Sequence, residues 1–588
     1  MKSLLACTRA VLWVLLLTGS VSAEEPPARA TDLVGIWEAR RSFGPEVRGR
    51  LTLTRVDDQW TAEIAGHVVR ARADGCDIRF EIPGDRASFR GCLQTGGPIV
   101  GHWVQGRTRH GGLRVASPVV LHLTAERRWE GEVVPFEDDF TFYLVVTERD
   151  DGTAGAFLRN PDRNFGIILN ADRIEREGDD IRLVGSFFRN TEETVLASGR
   201  YNQDLDTISL MMRGATYDFQ RIDGDPASAF FARGRDPEPW VYRPPPRLDD
   251  GWDVASASEV GISIDPIRRL IETEIDPPAK DVHAPYVHAM LIARHGKLVV
   301  EDYFHGFHRD RTHDTRSASK SATAVLVGAA IEAGEPLSTS TRVYRTILGD
   351  SLSADLDPRA ERMTLEHLLT MSSGLDCDDR DSDSPGNEDR MQSQSENLDW
   401  YDYTLALDMI REPGELAVYC SVNPNLAGNV LSAAIGEPLE SLFQRLVAEP
   451  LDVRRYHLYL QPTGEPYMGG GIHWLPRDFM KLGQVILDGG TWNGRRVLSQ
   501  EFAQRSVAPL YELRERGYGY LWWIKEYTYR GKTITAFFAG GNGGQVVIGV
   551  PELDLVVTFL AGNYSDRVSF RIQEEFFPEY ILPAVLPD

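Results

Sequence analysis

Short runs in which polar and apolar residues alternate fill the first third of the chain. A period of two places every second side chain on the same face of a β-strand. The clearest runs are 50–54, 60–64, 77–82, 98–103, 141–146 and 181–188. Turns rich in aspartate and glycine separate them. We therefore predict an all-β domain over residues 32–235, either a barrel or a sandwich.

A proline-rich segment at 236–252 predicts a stiff, extended linker. Beyond it the pattern mixes strands and helices. Runs 288–294 and 298–304 flank a turn at His295-Gly296-Lys297 and predict a β-hairpin. Apolar residues at helical spacing then predict a helix that begins near Ser317. We predict a second domain of the α/β type over residues 253–588.

Three further stretches complete the second domain. Residues 364–375 predict a helix with a capping start and a glycine end. Residues 376–399 are acidic and poor in aliphatic side chains, so we predict a solvated surface loop there. Runs 518–523, 540–548 and 555–560 predict strands, and a final helix is predicted near 567–580.

The length of 588 residues is too great for a single hydrophobic core, which agrees with two or more domains. The contents of 42% hydrophobic and 26% charged residues are typical of a globular protein. A net charge of −24 argues against a nucleic-acid partner, because binding to phosphates needs clustered cations. The net charge does not bear on catalysis.

Residues 1–23 have the three parts of a signal peptide. Lys2 and Arg9 give a positive start, residues 10–17 are apolar, and Val21-Ser22-Ala23 is a small-residue cleavage site. We expect cleavage and export to the periplasm or the cell exterior, with an uncleaved anchor as the alternative. No later run is long and apolar enough to cross a bilayer, so we expect no stable membrane span.

Four cysteines follow the signal segment: Cys76, Cys92, Cys377 and Cys420. An even number in an oxidising compartment predicts two disulfides. Three connectivities are possible. The local pairing of Cys76 with Cys92 and of Cys377 with Cys420 is the most economical, because each pair lies within one predicted domain. Free buried thiols are the alternative.

The pair Ser317 and Lys320 is the leading candidate for chemistry. Residues three positions apart share one face of a helix. A serine hydroxyl becomes a good nucleophile when a neighbour takes its proton, and a lysine can do so only when it is neutral. We therefore expect burial and the helix N-terminus to lower the pKa of Lys320. An ordinary helix start with Lys320 in solvent is the alternative.

We predict no metal site and no cofactor. His305, His308 and His313 lie close together, but their spacing is that of no zinc motif and favours a solvated loop. The chain has no His-Glu-x-x-His pattern and no phosphate loop. It also lacks a Gly-x-Ser-x-Gly elbow around Ser317, which disfavours an α/β-hydrolase.

Several motifs of the second domain occur in a characteristic order. They are Ser317-x-x-Lys320, the helix end 368–374, Pro413-Gly414 ahead of Tyr419-Cys420-Ser421, Arg477-Asp478, Gly489-Gly490, and 540–545 before Val550-Pro551-Glu552. In this order they resemble the serine β-lactamase and penicillin-recognising superfamily, in its class C-like serine hydrolase branch. The resemblance covers somewhat more than half of the chain. It implies an antiparallel sheet flanked by helices, with a helical subdomain.

The resemblance also implies roles for individual residues. Tyr419 stands where the superfamily has a second proton carrier. The backbone N–H of Ser317 and one from the edge strand, at Gly541 or Asn542, would hold the oxyanion. Outside this region, Gly35-Ile36-Trp37-Glu38 is similar to the opening of lipocalin-like barrels.

Two departures from the superfamily pattern narrow the expected activity. The third motif contains Ala539-Gly540-Gly541 in place of Lys-Thr-Gly, and Ser421 stands where asparagine is frequent. Both changes fit esterases and amidases, including nylon-oligomer hydrolases, better than β-lactam hydrolysis. We predict an exported serine hydrolase that cleaves an ester or amide bond of a small molecule or peptide. The alternatives are a ligand-binding or sensor protein without turnover, and a β-lactamase or D-peptidase.

Overall fold

The structure is a computed structural model that describes residues 29–586, except 44, 46, 85, 96, 107–113, 161–168, 187–191, 213, 223–227 and 396–397. The predicted signal peptide, residues 1–23, lies outside the described residues. So do the last two positions of the predicted strand 181–188.

Two antiparallel barrels form the N-terminal part. Their strands are β1 (Gly35–Phe43), β2 (Gly49–Val56), β3 (Gln59–Ile64), β4 (His67–Asp74), β5 (Asp77–Ile82), β6 (Ala87–Leu93), β7 (Ile99–Gln105), β8 (Arg114–Ala125), β9 (Arg128–Val133), β10 (Asp138–Glu148), β11 (Ala154–Arg159), β12 (Asn170–Glu177), β13 (Asp180–Ser186), β14 (Glu193–Asn202), β15 (Thr207–Met212) and β16 (Ala215–Arg221). Strands β2–β9 close the first barrel, and β1 with β10–β16 closes the second.

The barrel alternative of the sequence analysis is confirmed, and the barrels number two. β1 pairs with β10 in register from Gly35↔Val146 to Phe43↔Asp138. The first barrel is therefore an insertion between two paired strands of the second. Each barrel has its own core, around Trp103 and Phe89 in the first and around Trp37 in the second.

The C-terminal part is built on a nine-stranded sheet in the order β17-β19-β18-β30-β29-β28-β27-β26-β25. The strands of this part are β17 (Asp253–Val254), β18 (Val287–Arg294), β19 (Lys297–Tyr303), β20 (His313–Asp314), β21 (Tyr456–Leu460), β22 (Ile472–Trp474), β23 (Thr491–Trp492), β24 (Arg495–Arg496), β25 (Tyr511–Leu513), β26 (Arg516–Tyr518), β27 (Trp523–Tyr529), β28 (Lys532–Gly541), β29 (Gln545–Val550) and β30 (Leu555–Ala561). The predicted hairpin is β18–β19, and its turn has the αL residue His295.

Helices flank this sheet, as the superfamily resemblance implied. The α-helices are α1 (Ile264–Leu270), α2 (Lys320–Glu332), α3 (Val343–Leu348), α4 (Pro358–Arg362), α5 (Leu365–Leu369), α6 (Glu388–Gln392), α7 (Trp400–Leu405), α8 (Val422–Ile435), α9 (Leu439–Phe443), α10 (Pro476–Leu487), α11 (Gln500–Ser506) and α12 (Leu582–Val585). Shorter 3₁₀ segments are Ala30–Leu33, Ala257–Val260, Arg316–Ser319, Gly349–Ser351, Pro551–Leu553 and Arg567–Phe570, and π segments are Ile271–Ile275, Gln444–Ala448 and Ile572–Ile581.

Helix α2 runs through the centre of this domain. Most of its residues are buried, and it packs against α8, α10 and α11. Helix α10 contacts the sheet at β18, β29 and β30. The predicted helix at 364–375 is shorter than expected and ends at Leu369, because Met371 takes a positive φ of 58° that breaks the helix. The predicted final helix is present as 3₁₀, π and α segments.

The first barrel is joined to the C-terminal domain by backbone pairing. Strand β8 pairs with β21, which pairs with β22, which in turn pairs with β20. Side chains support this junction. The Oγ of Ser117 lies 2.7 Å from Nδ1 of His457, and Nε2 of His102 lies 2.9 Å from the hydroxyl of Tyr456. All four of these side chains are buried.

The segment 236–252 contains no helix or strand and lies along β19. The indole of Trp240 donates to Asp302 over 3.1 Å, and the hydroxyl of Tyr242 donates to the Val299 carbonyl over 2.9 Å. The predicted boundaries at residues 235 and 253 stay predictions. Across the described ranges, the helices are too short or too polar to traverse a membrane.

Candidate active site

Ser317 and Lys320 meet where a 3₁₀ turn passes into an α-helix. Ser317 lies in the turn Arg316–Ser319, and Lys320 is the first residue of α2. The ammonium of Lys320 donates to Oγ of Ser317 over 2.9 Å and to the Gly469 carbonyl over 2.5 Å. Lys320 is only 2% exposed, so the alternative of a lysine in solvent is wrong.

The backbone ahead of Ser317 is held in a fixed conformation. Arg316 has a φ of 48°, in the left-handed region that costs a non-glycine residue free energy. Its N–H donates to Oδ1 of Asp314 over 2.9 Å, and the N–H of Thr315 donates to the Ile472 carbonyl over 3.2 Å. These bonds hold the turn so that the side chain of Ser317 reaches Lys320.

Tyr419 lies beside this pair. Nζ of Lys320 is 5.2 Å from the centre of the Tyr419 ring. The ring stacks on Trp523, with centroids 5.6 Å apart, and the guanidinium carbon of Arg514 lies 4.4 Å from its centre. The structure therefore brings Ser317, Lys320 and Tyr419 together, and Trp523 and Arg514 also contact the tyrosine ring.

The protonation of Lys320 differs from the sequence-based expectation. Burial lowers its pKa, but Tyr419 and the carboxylates of Glu388 and Asp379 raise it, and the net pKa lies above the ordinary value. The expected lowering of the Lys320 pKa is therefore wrong. Lys320 is an ammonium at neutral pH, and its hydrogen bond to Ser317 is that of a charged donor.

The segment predicted as a solvated acidic loop forms one wall of the site. Oδ2 of Asp379 accepts from the N–H and Oγ of Ser421, over 2.8 and 2.7 Å, and Oδ1 accepts from the N–H of Glu388 over 3.1 Å. The hydroxyl of Tyr467 donates to Glu388 over 2.6 Å. Burial and the nearby Glu388 raise the pKa of Asp379. For Asp379 and Glu388 the prediction was wrong, because buried donors surround these two carboxylates. It holds for Asp381, Asp383 and Asp389, which are exposed.

Gly541 closes the site on the side of the sheet. A Cβ on Gly541 would lie 2.4 Å from the carbonyl oxygen of Thr315 and 3.0 Å from the N of Ala318. Only glycine allows β28 to come this close to the nucleophile turn. The neighbouring Asn542 is exposed, and its side-chain oxygen accepts from the N–H of Ser565 over 2.7 Å. Their role as oxyanion donors stays a prediction.

Both predicted cysteine pairs lie at disulfide distance. The Cα atoms of Cys76 and Cys92 are 4.8 Å apart, and those of Cys377 and Cys420 are 5.9 Å apart. The second pair connects the acidic segment to the residue that follows Tyr419. This crosslink places Asp379 beside the site. The predicted pairing already implied this position, but the acidic composition of the segment led to its prediction as a solvated loop.

Of the three histidines near residue 310, His308 is exposed as predicted, whereas the other two do not lie in a solvated loop. His305 and His313 are buried, and Nδ1 of His288 lies 2.7 Å from Nε2 of His313. Burial lowers the pKa of His305 to about 3 and of His313 to about 4, so both are neutral. Within the part of the chain that the structure covers, no three His, Cys, Asp or Glu side chains converge as metal ligands.

Sequence reasoning missed Asp379, Glu388 and Arg514. No motif marks Arg514, because it reaches the site from a hairpin that is distant in sequence. A serine and a buried ammonium at the start of a helix, a tyrosine beside them and a mostly antiparallel sheet are the features of a domain of the serine β-lactamase class. Residues 282–569 match the family model described as Beta-lactamase, so this part of the chain is a beta-lactamase family domain.

The chain is also similar to individual known proteins. A 6-aminohexanoate-dimer hydrolase of Paenarthrobacter ureafaciens is 27% identical over 228 residues, which are 37% of this chain and 57% of that relative. A family VIII carboxylesterase structure is 16% identical, covers 56% of this chain and 99% of its own, and has a TM-score of 0.43. A penicillin binding protein from Bacillus halodurans is 19% identical, covers 49% and 95%, and has a TM-score of 0.38.

Proposed function

We propose that the protein is an exported serine hydrolase that cleaves an ester or amide bond through an acyl-enzyme on Ser317. The observation that carries this proposal is the 2.9 Å hydrogen bond from the buried ammonium of Lys320 to Oγ of Ser317, next to Tyr419. A buried lysine beside a serine stabilises the fold no more than a well-packed apolar side chain would. Its retention is understandable if charge develops at that oxygen during a reaction.

Because Lys320 is charged, we propose that Tyr419 carries the proton transfers. When Ser317 attacks the substrate carbonyl, its proton moves to the Tyr419 oxygen, while the phenolic proton moves to the leaving alcohol or amine. The bond between the carbonyl carbon and the leaving group then breaks. In deacylation a water oxygen attacks the acyl carbonyl carbon while a water proton moves to Tyr419. The bond from that carbon to Oγ of Ser317 then breaks, and the phenolic proton returns to Ser317. Lys320 remains protonated and stabilises negative charge on Oγ of Ser317 and on the Tyr419 oxygen.

The second electrostatic element is the oxyanion site. We propose the backbone N–H of Ser317 and one from the end of β28, at Gly541 or Asn542, as the donors. The close approach of Gly541 to the nucleophile turn supports this assignment. Each such donor contributes about 10²–10³-fold to kcat in serine hydrolases. The 6-aminohexanoate-dimer hydrolase relative supports small amides as substrates.

A fluorophosphonate probe tests the nucleophile. Wild-type protein should be labelled on Ser317, and Ser317→Ala should not, whereas the surface variant Ser258→Ala should be labelled like wild type. Tyr419→Phe should lower the kcat for 4-nitrophenyl butyrate by about 10²–10⁴-fold. Equal labelling of wild type and Ser317→Ala would contradict the proposal.

Export is proposed from the signal pattern over residues 1–23 and from the two cysteine pairs at disulfide distance, which suit an oxidising compartment. Cell fractionation with mass spectrometry tests it. The expected mature protein starts at Glu24 and has no free thiols. Recovery of the uncleaved chain in the cytoplasm would contradict export.

A further inference from the structure

The turn that contains the two candidate oxyanion donors is rich in glycine. It joins β28 to β29 through Gly541-Asn542-Gly543-Gly544, and the φ values of Gly543 and Gly544 are 94° and 96°. Glycine adopts such positive φ values readily, but it also loses the most backbone freedom when it becomes ordered. This turn therefore needs contacts from outside its own backbone to hold a peptide N–H in one place.

The side chain of Gln545 provides such contacts. It is fully buried, and its Nε2 donates to the Asn542 carbonyl over 3.2 Å and to the Ala561 carbonyl. Its Oε1 accepts from the N–H of Ala561 over 3.1 Å. The two amide hydrogens and the amide oxygen are thus all in use. The opposite orientation of the amide would set its NH₂ group against the N–H of Ala561, so this network fixes which way the amide points.

Gln545 extends the sheet where backbone pairing stops. The ladder between β29 and β30 ends at Phe559, two residues before Ala561. On its other side, Gln545 pairs with Gly541 across β28 and β29. Gln545 therefore contacts both candidate donor positions, Gly541 through its backbone and Asn542 through its side chain. Its bonds to Ala561 connect both positions to the end of β30.

The turn is closely packed around the amide of Gln545. A Cβ on Gly543 would lie 2.8 Å from Nε2 of Gln545 and 2.6 Å from the Tyr564 ring. The Gly543 carbonyl also accepts from the N–H of Asn563 over 2.9 Å. Only glycine at position 543 leaves room for the amide, so the turn and the Gln545 side chain fit each other.

Hydrogen bonds on both sides of Asn542 orient its N–H. The Gly541 carbonyl accepts from the N–H of Gly544 over 3.3 Å, and the Asn542 carbonyl accepts from Gln545. The C=O and N–H of a trans peptide point in opposite directions, so the N–H of Asn542 points away from Gly544. A donor to an oxyanion needs this kind of fixing, because a misplacement of about 1 Å costs about 10²-fold in rate.

We propose that Gln545 is a positioning residue for the oxyanion site. Its buried amide holds the turn so that the N–H of Gly541 or Asn542 meets the negative charge that develops on the substrate carbonyl oxygen. Gln545 does not touch the substrate and acts through the turn. The inference rests on the proposed function, which defines the reacting carbonyl.

A pair of esters that differ in one atom tests the proposal on the full-length protein. They are 4-nitrophenyl butyrate and its thiono analogue, in which sulfur replaces the carbonyl oxygen. Sulfur is a weak hydrogen-bond acceptor, so the oxyanion donors favour the oxygen ester. The measured quantity is the ratio of kcat/KM for the two esters, divided by the ratio of their alkaline hydrolysis rates. Gln545→Met should lower this ratio about tenfold, through kcat.

Gln105 in the first barrel is the matched control. It is also fully buried, its Nε2 donates to the Phe136 carbonyl over 3.2 Å, and its Oε1 accepts from the N–H of Phe136 over 2.8 Å. Gln105→Met removes the same kinds of hydrogen bond in another domain and should keep the wild-type ratio. Thermal unfolding of both variants measures the loss of stability separately.

Gln545→Glu adds a measurement that depends on pH. An ionised carboxylate cannot donate to the Asn542 carbonyl, whereas a protonated carboxyl can donate once. The ratio for this variant should be low at alkaline pH and should rise as the pH falls, while the wild-type ratio stays constant. This variant decides the question if Gln545→Met does not fold.

Three results would overturn the proposal. They are a wild-type ratio in folded Gln545→Met, an equal fall of the ratio in Gln105→Met, and a ratio in Gln545→Glu that does not change with pH. Hydrolysis of the oxygen ester that Ser317→Ala abolishes supports the proposed function whatever the ratio, so the two proposals fail separately.

Discussion

Replacing Gly541 by alanine tests how closely the sheet approaches the nucleophile. The new Cβ would lie 2.4 Å from the Thr315 carbonyl oxygen, whereas ordinary contacts begin at 3.4 Å. Both contacting groups are backbone, so β28 and the turn before Ser317 must separate by about 1 Å, a displacement that costs about 10²-fold in a preorganised site. That factor corresponds to about 2.7 kcal/mol of transition-state stabilisation.

Gly540→Ala is the matched control, because its Cβ would meet only the Phe538 ring, at 3.3 Å, and the Gln573 side chain, at 3.6 Å. The assay is kcat/KM for 4-nitrophenyl butyrate, with the rate of fluorophosphonate labelling and thermal unfolding measured in parallel. Gly541→Ala should remain folded and lose about 10²-fold in both rates. The reasoning is refuted if folded Gly541→Ala stays within about threefold of Gly540→Ala.

Three further changes have defined outcomes. Glu388→Gln removes a charge that raises the pKa of Lys320, so the alkaline loss of activity should begin at a lower pH in a pH–rate profile than in wild type. Replacing Cys377 and Cys420 by serine opens a loop with a sequence separation of 43 and should cost about 4 kcal/mol in denaturant unfolding, with loss of activity. Ser117→Ala should lower the hydrogen-exchange protection of β21 about tenfold, because a buried partner loses its bond.

Each of these outcomes has a contrary result. If neutral Lys320 were the base, Glu388→Gln would instead raise activity on the acid side. Serine at Cys76 and Cys92, the control pair, should destabilise the first barrel and leave the acyl-enzyme chemistry in place. Unchanged exchange of β21 in Ser117→Ala would show that the domain junction does not depend on that bond.

Local patterns in the sequence predicted the strands of the barrels and the hairpin β18–β19, because alternation reports directly on which face of a strand is buried. They did not predict two barrels. The pairing of β1 with β10 spans an insertion of about ninety residues, and such long-range register leaves no local signature. In the sequence, a barrel with a second barrel inserted into it has the pattern of one continuous series of strands.

In the candidate site, too, local contacts could be predicted from the sequence and long-range contacts could not. The spacing of Ser317 and Lys320 implied their contact, because helix geometry fixes neighbours three positions apart. The protonation of Lys320 depends on Glu388 and Asp379, which approach from another segment. Acidic residues in an aspartate-rich stretch look solvated when only their composition is considered. The fold supplies the buried donors that change this interpretation.

The pairing of β8 with β21 makes the first barrel part of the hydrolase framework. The loop between β21 and β22 contributes the Gly469 carbonyl that holds Lys320. A fragment limited to residues 253–588 would leave Tyr456–Leu460 as a bare edge strand, prone to self-association and free to shift the lysine's acceptor. The first barrel thus covers the edge of β21 and holds it in place. A shortened version of this enzyme would need another strand along that edge.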